Sequence, residues 1–246
     1  MASITVSEAK GVRALHFGSP WVQGAMRVAR PAALELEYTR ELMLPLLLRG
    51  DARWPRSVLQ VGLGAASITR YLYRFWPQAR LTAVEIAPEV VAVARQSFKL
   101  PEDPERFTVE LGDGHEWMAK GRAKFDLVVV DGYDDRGRAG MLDSEPFYLN
   151  AASRLTRDGM LAVNLLPRRK SAAPSIQRLQ AAFGERVLEL APSEAGNVVA
   201  VAATGSPIAF SREELRDAAD ALRRDAGLDL RPTIARLLAR HGRLDL

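Results

Sequence analysis

Four short stretches of this chain carry residues whose types and spacing could do chemistry. In the first, Ser57–Arg70, an apolar strand (Val58 to Val61) enters a turn of small residues: Gly62, Gly64, Ala65, Ala66 and Ser67. G-x-G after a buried strand lets backbone approach a ligand and lets the next helix pack close. The second is Glu85, which ends the following strand 23 residues after Gly62. That is near the spacing of about 20 at which an acid binds a ribose diol; the competing reading is a solvent-exposed strand-end Glu. The third is Gly112-Asp113-Gly114. Asp113 could accept from an adenine amino group while capping the helix that follows, and the glycines would let the ring lie against backbone. The fourth is D-G-Y-D-D at Asp131–Asp135, which ends the most apolar strand of the chain. Asp131, Asp134 and Asp135 repel one another unless a cation is near. Such a cluster suits a substrate amine or a sulfonium, and it can raise one pKa toward use as a base. The plainer alternative is an acidic surface turn.

The elements that must position these residues alternate. Strands are expected at Val58–Val61, Arg80–Glu85, Phe107–Leu111, Phe125–Val130 and Gly159–Leu166. Helices are expected at Ser67–Phe75, Pro88–Phe98, Pro146–Leu155 and Ser175–Phe183, and a helical turn at Gly114–Lys120. Arg186–Leu190 and Asn197–Ala203 read as a late antiparallel edge. Alternation of this kind with continuous apolar strands means a doubly wound α/β sheet, with ligands outside the carboxyl ends of its strands. Before it, residues 1–30 read as a small β unit turning at Lys10-Gly11. A helix from Pro31 would carry Leu34, Leu36, Tyr38, Leu42 and Leu46 mostly on one face, ending at Gly50. Residues 31–204 form the Rossmann-like unit. Residues 205–246 form a helical tail, opened by the capping-box pattern Ser211-x-x-Glu214 and broken at Gly227.

The totals bound the possibilities. The chain has 246 residues, 48% of them hydrophobic and 26% charged, with a formal net charge of +4. The basic excess is late, in Arg168-Arg169-Lys170 and the tail arginines, and reads as solvated surface. No aromatic follows Phe210 to interleave with it, so no nucleic-acid partner is expected. There is no cysteine, which excludes disulfides and thiolate chemistry; the three histidines (His16, His115, His241) lack ligand spacing, so no metal is expected. No apolar run suits a membrane helix or a signal peptide, and a cytoplasmic enzyme is the expectation. His115 reads as a helix-start surface residue and Trp117 as core.

In this order and spacing the four stretches resemble the spermidine synthase (polyamine aminopropyltransferase) family. The resemblance runs roughly from Gly18 to Gly159. It takes in A-L-E-L-E-Y-T-R-E-L-M at Ala33–Met43, G-D-G-H-E-W-M at Gly112–Met118 and L-D-S-E-P-F-Y at Leu142–Tyr148. It implies a methyltransferase-like Rossmann fold behind a small N-terminal β unit, commonly as a homodimer. The implied donor is decarboxylated S-adenosylmethionine, with methylthioadenosine as product, a small-molecule amine as acceptor and no metal. By position it makes Glu85 the ribose ligand, Asp113 the adenine ligand and Asp134 the base that deprotonates the amine. Asp131 becomes the first acid of the family's D-S-S-D motif, and Tyr38 helps to place the amine. Gln23, Tyr148 and Asp135 fall beside the substrate.

The departures define rival readings. Ala65 stands where the family loop G-G-G-D-G-G has its acid, and Arg138 is added near the acidic cluster, where it would repel a polyamine. Loss of the acid removes a charge that would reject the carboxylate of intact S-adenosylmethionine. Gln60 stands where many methyltransferases carry an acid for the methionine ammonium. A methyltransferase is therefore one alternative. A nucleoside-binding protein without catalysis is another.

Overall fold

A computed structural model describes residues 3–51, 53–167, 171–241 and 244–246. The expected Arg168-Arg169-Lys170 cluster lies outside the described residues.

Seven strands form the central sheet, in the order β6-β5-β4-β7-β8-β10-β9. They are β4 (Ser57–Val61), β5 (Arg80–Glu85), β6 (Phe107–Leu111), β7 (Phe125–Val130), β8 (Leu155–Leu165), β9 (Val187–Glu189) and β10 (Val198–Ala203). β4 to β8 are parallel, whereas β10 runs antiparallel to both β8 and β9. The strand order reverses at β4, which pairs with β5 on one side and β7 on the other. The turn after β4 therefore sits at the switch point where open α/β sheets bind ligands.

Side chains alternate across each strand and feed two apolar layers. Val58, Leu127, Val129 and Val201 face one layer; Leu59, Val128, Val130 and Ala200 face the other. The first layer is covered by α2 (Leu44–Arg49), α3 (Ser67–Phe75), α4 (Pro88–Ser97), α8 (Arg212–Ala226) and α9 (Arg231–His241). The second is covered by α5 (Gly114–Lys120), α6 (Glu145–Ser153) and α7 (Ala173–Phe183). A separate three-stranded antiparallel sheet, β1 (Ile4–Ala9), β2 (Val12–Phe17) and β3 (Val22–Arg27), precedes them. The tail bears the expected capping box, with both Ser211–Glu214 hydrogen bonds made. Its end also pairs β11 (Ala209–Phe210) with β12 (Leu244–Asp245).

One expected helix is absent as drawn. Instead of a continuous helix from Pro31, the chain forms α1 (Glu37–Glu41) and then α2. Pro45 sits in the first turn of α2. A continuous helix would bring its ring against the Glu41 carbonyl and leave that carbonyl without a donor. β8 also begins earlier than Gly159. Leu155 opposes Phe125 and Met160 opposes Leu127, so the register shifts between them. A side chain at Gly159 would press on Leu155, which glycine avoids.

Candidate active site

The carboxyl ends of β4 to β8 open into a cavity of about 710 Å³. The strand order decides which side chains share each end of it. β5 and β6, on one side of β4, bring Glu85 and Asp113; β7, β8 and the start of β10, on the other, bring Asp131, Asn164 and Asn197.

Gly62 has φ +89°, and a Cβ there would collide with the Asp131 carbonyl. Only glycine lets the first turn of the loop pass that close to the end of β7. Gly64 has φ +52° and lines the cavity with Gly62. Glu85 is buried, not exposed at a strand end, and its carboxylate braces the loop. Oε2 accepts from the Leu63 N–H at 2.8 Å and Oε1 from the Ala87 N–H at 3.0 Å. Each oxygen keeps a further lone pair, so a ribose diol can still be held. Asp113 caps α5 through Oδ1, accepting from the His115 and Glu116 N–H groups at 2.8 and 3.1 Å. Its Oδ2 makes no hydrogen bond among the described residues. A Cβ at Gly114 would strike Val61. Ile86 and Met141, both largely exposed for apolar residues, also line the cavity. A carboxylate pair, close backbone and flat apolar walls fit an adenosine.

At the other end a chain of amides meets a carboxylate. The Asn197 amide donates to Asn164 Oδ1 at 2.9 Å, and the Asn164 amide donates to Asp131 Oδ1 at 2.8 Å. Tyr38, on α1, also bonds to the Asp131 carboxylate. Burial pushes the Asp131 carboxyl up, and the hydrogen bonds from Asn164 and Tyr38 offset this only in part. Burial likewise raises the Tyr38 phenol, with the Asp131 charge adding to it. The Tyr133 hydroxyl donates to the Asn164 carbonyl at 2.5 Å. Gln23 lines the cavity from β3.

Asp134 also lines the cavity, but in a different state. Its Oδ1 accepts from the Arg136 and Arg138 N–H groups at 2.9 and 2.8 Å, and its Oδ2 from Arg138 Nε at 2.5 Å. Partial burial would raise its carboxyl, yet these donors and the Arg138 charge outweigh that and hold it below the usual carboxylate range.

Several expected residues are not at the cavity wall. Gln60 is buried beneath the loop, donating to the Gly62 carbonyl and accepting from Thr69, each at 2.7 Å. Its amide is spent on loop shape, not directed at a ligand's ammonium. Tyr148 is fully buried and donates to Asp143 at 2.8 Å, which also takes Ser175 and Arg178. This latch fixes the segment whose Leu142 reaches the cavity. Asp135 is exposed outside the cavity. Ala65 is buried among Leu15, Met26 and Phe98, interlocked with Gly24 of β3. Its side chain is not part of the cavity wall. His115 lines the cavity, and Trp117 packs partly buried beside Phe125.

Asn164 and Asn197 were not singled out from the sequence. The available signal was one amide inside the apolar run L-A-V-N-L-L, a polar residue that burial demands be satisfied.

The spermine/spermidine synthase domain matches residues 38–165, a span holding every strand end named above except β10. The polyamine aminopropyltransferase of Neisseria meningitidis serogroup A is 36% identical over 96% of this chain and 89% of its own. The chain belongs to the spermine/spermidine synthase family. Solved structures agree with the fold of this family member. A probable spermidine synthase from Corynebacterium glutamicum superposes with a TM-score of 0.73 at 20% identity, covering 92% of this chain and 85% of that one. Human methyltransferase-like protein 13, solved with S-adenosylhomocysteine, gives 0.70 at 22% identity, over 78% and 93%. The methyltransferase-like Rossmann fold is thus shared by both groups.

Proposed function

We propose that this protein transfers an aminopropyl group from decarboxylated S-adenosylmethionine to a primary amine, releasing methylthioadenosine. The amine lone pair attacks the methylene carbon bonded to the sulfonium. The N–C bond forms, the C–S bond breaks, and the sulfur leaves as a neutral thioether. A neutral leaving group needs no Lewis acid, so the required contributions are alignment and a proton acceptor. The observation that carries the reading is the Asp131 carboxylate, held by Asn164 and Tyr38 across β4 from Glu85 and Asp113. The polyamine aminopropyltransferase relatives support the same reaction class.

We assign the base to Asp131 in place of Asp134, the expectation from the family motif. Burial raises the Asp131 carboxyl, and it has no ion pair among the described residues. Asp134 is held low by Arg138. Asp131→Asn should lower kcat/KM by about 10²–10⁴-fold, the usual range for a lost general base. Methylthioadenosine should still raise its melting temperature. Asp134→Asn should cost less than about tenfold. The reverse ranking would return the role to Asp134.

Intact S-adenosylmethionine as a methyl donor is a second reading, favoured by Arg138 in the cavity wall: Asp134 engages its Nε, and its Nη groups could still donate to the donor's carboxylate. Product analysis separates them: methylthioadenosine marks aminopropyl transfer and S-adenosylhomocysteine marks methyl transfer.

A further inference from the structure

Five carboxylates line the cavity: Glu37, Glu85, Asp113, Asp131 and Asp134. Glu85 and Asp113 lie on the β5–β6 side, at the nucleoside end. On the acceptor side, Glu37 is already ion-paired. Arg236 of the tail approaches its Oε1 at 2.9 Å, and the Glu194 N–H donates to its Oε2 at 3.2 Å. Asp134 is paired to Arg138 Nε at 2.5 Å, with two backbone N–H groups filling its other oxygen. Asp131 alone of these three has no cation among the described residues. The remaining wall is apolar at Phe17, Trp21, Val22 and Leu166. The Trp21 ring stands beside Gly137, within the turn that presents Arg138.

We infer that Arg138 fills the place of an acceptor's second ammonium from within the chain, so that the acceptor is a primary amine with a single cationic end. The inference rests on the aminopropyl-transfer reading above. A linear diamine carries a charge at both ends at neutral pH, since an alkylammonium has a pKa near 10. One end would meet Asp131. The other would meet a guanidinium whose carboxylate partner is already engaged, so that no unpaired acid remains to hold it. An amine whose far end is alkyl, aryl or anionic meets Trp21, Leu166 and the Asp134–Arg138 pair and brings no second ammonium to be balanced. Arg138 makes this choice by pairing with Asp134, so it acts as a specificity determinant.

The test measures methylthioadenosine released from decarboxylated S-adenosylmethionine with n-butylamine, 4-aminobutanoate and 1,4-diaminobutane. These share one chain length and differ only at the far end. Wild type should favour n-butylamine over the diamine by at least about tenfold in kcat/KM, equivalent to about 1.4 kcal/mol. Arg138→Ala and Arg138→Gln, checked for folding by thermal melting, should shift that ratio toward the diamine by about tenfold or more, chiefly through its KM. Arg138→Lys, which keeps the cation, should retain the wild-type preference. A wild type that uses the diamine as well as the monoamine overturns the inference and leaves aminopropyl transfer standing. So does a ratio that Arg138→Ala and Arg138→Gln leave unmoved. If no amine yields methylthioadenosine from a wild type that binds the donor, the aminopropyl reading itself fails and the inference falls with it.

Discussion

Asp131 loses water and gains two neutral donors, whereas Asp134, three residues on, gains a guanidinium. Their pKa values move apart, and pairs of acids separated this way are how one site assigns roles. Asp131 binds more protons folded than unfolded, because its folded pKa is raised. Its burial therefore costs stability as pH rises through the ordinary Asp value of about 3.9, and the cost is complete above its raised folded value. Asp131→Asn should accordingly melt higher than wild type near pH 7, and that gain should vanish below about pH 3.5. An undiminished gain at low pH would mean that desolvation of the carboxylate is not its source. In wild type, kcat/KM should rise with pH along a limb centred above the usual carboxylate range. The acidic cluster was legible in the sequence. Which of its members keeps its charge free was not, since Asn164 lies 33 residues from Asp131, and Arg138 could be placed near the cluster but not paired.

At the scale of elements, two braces hold the site. The first supports the glycine loop. Ser67 Oγ donates to the Ala25 carbonyl of β3 at 2.9 Å. The buried Arg70 guanidinium donates to the carbonyls of Pro31 at 2.8 Å, Phe98 at 2.7 Å and Ala65. Burial without a carboxylate lowers the Arg70 pKa to about 10. Ser67 in place of a third glycine thus ties loop to β unit. The second brace runs from the tail to α1. Arg236 of α9 pairs with Glu37 and Glu41, and Thr233 donates to Glu41 at 3.3 Å. Glu41 is fully buried, and burial raises its carboxyl against the pull of Arg236. Arg236→Ala leaves that acid without its cation. Because Arg236 is itself partly exposed, the expected loss is about 2–3 kcal/mol, below the full cost of breaking a buried pair. Tyr38 lies between Glu37 and Glu41 on α1, so the variant should raise the acceptor KM more than the donor KM. Equal changes in both would show only a general loosening.

For the whole molecule, the tail is part of the core. Leu215, Ala219, Leu230, Ile234 and Leu238 join the same apolar layer as Leu44, Leu47 and Leu48 of α2. Uncovering that layer exposes several buried leucines, each worth about 1.5–3 kcal/mol. Against a typical total stability of about 5–15 kcal/mol, removal of residues 211–246 should abolish cooperative melting. Calorimetry of the truncated chain checks this, and a sharp transition near the wild-type temperature would refute it.

The sequence by itself determined the repeating strands and helices, the glycine turn, the strand-end acids and the resemblance that names the family. These are local: apolar periodicity, caps and turns act within a few residues, so β5, β6, β7, α3 and α5 carry the expected bounds. Tertiary structure decided the rest, because solvation and charge pairing depend on neighbours distant in the chain. It turned Ala65 into β3 and away from the cavity, and withdrew Gln60 and Tyr148 into buried hydrogen bonds. It broke the helix after Pro31 in two, and set Arg236 of the tail against α1. It also left Asp131, alone among the acceptor-side acids, free of a cation among the described residues.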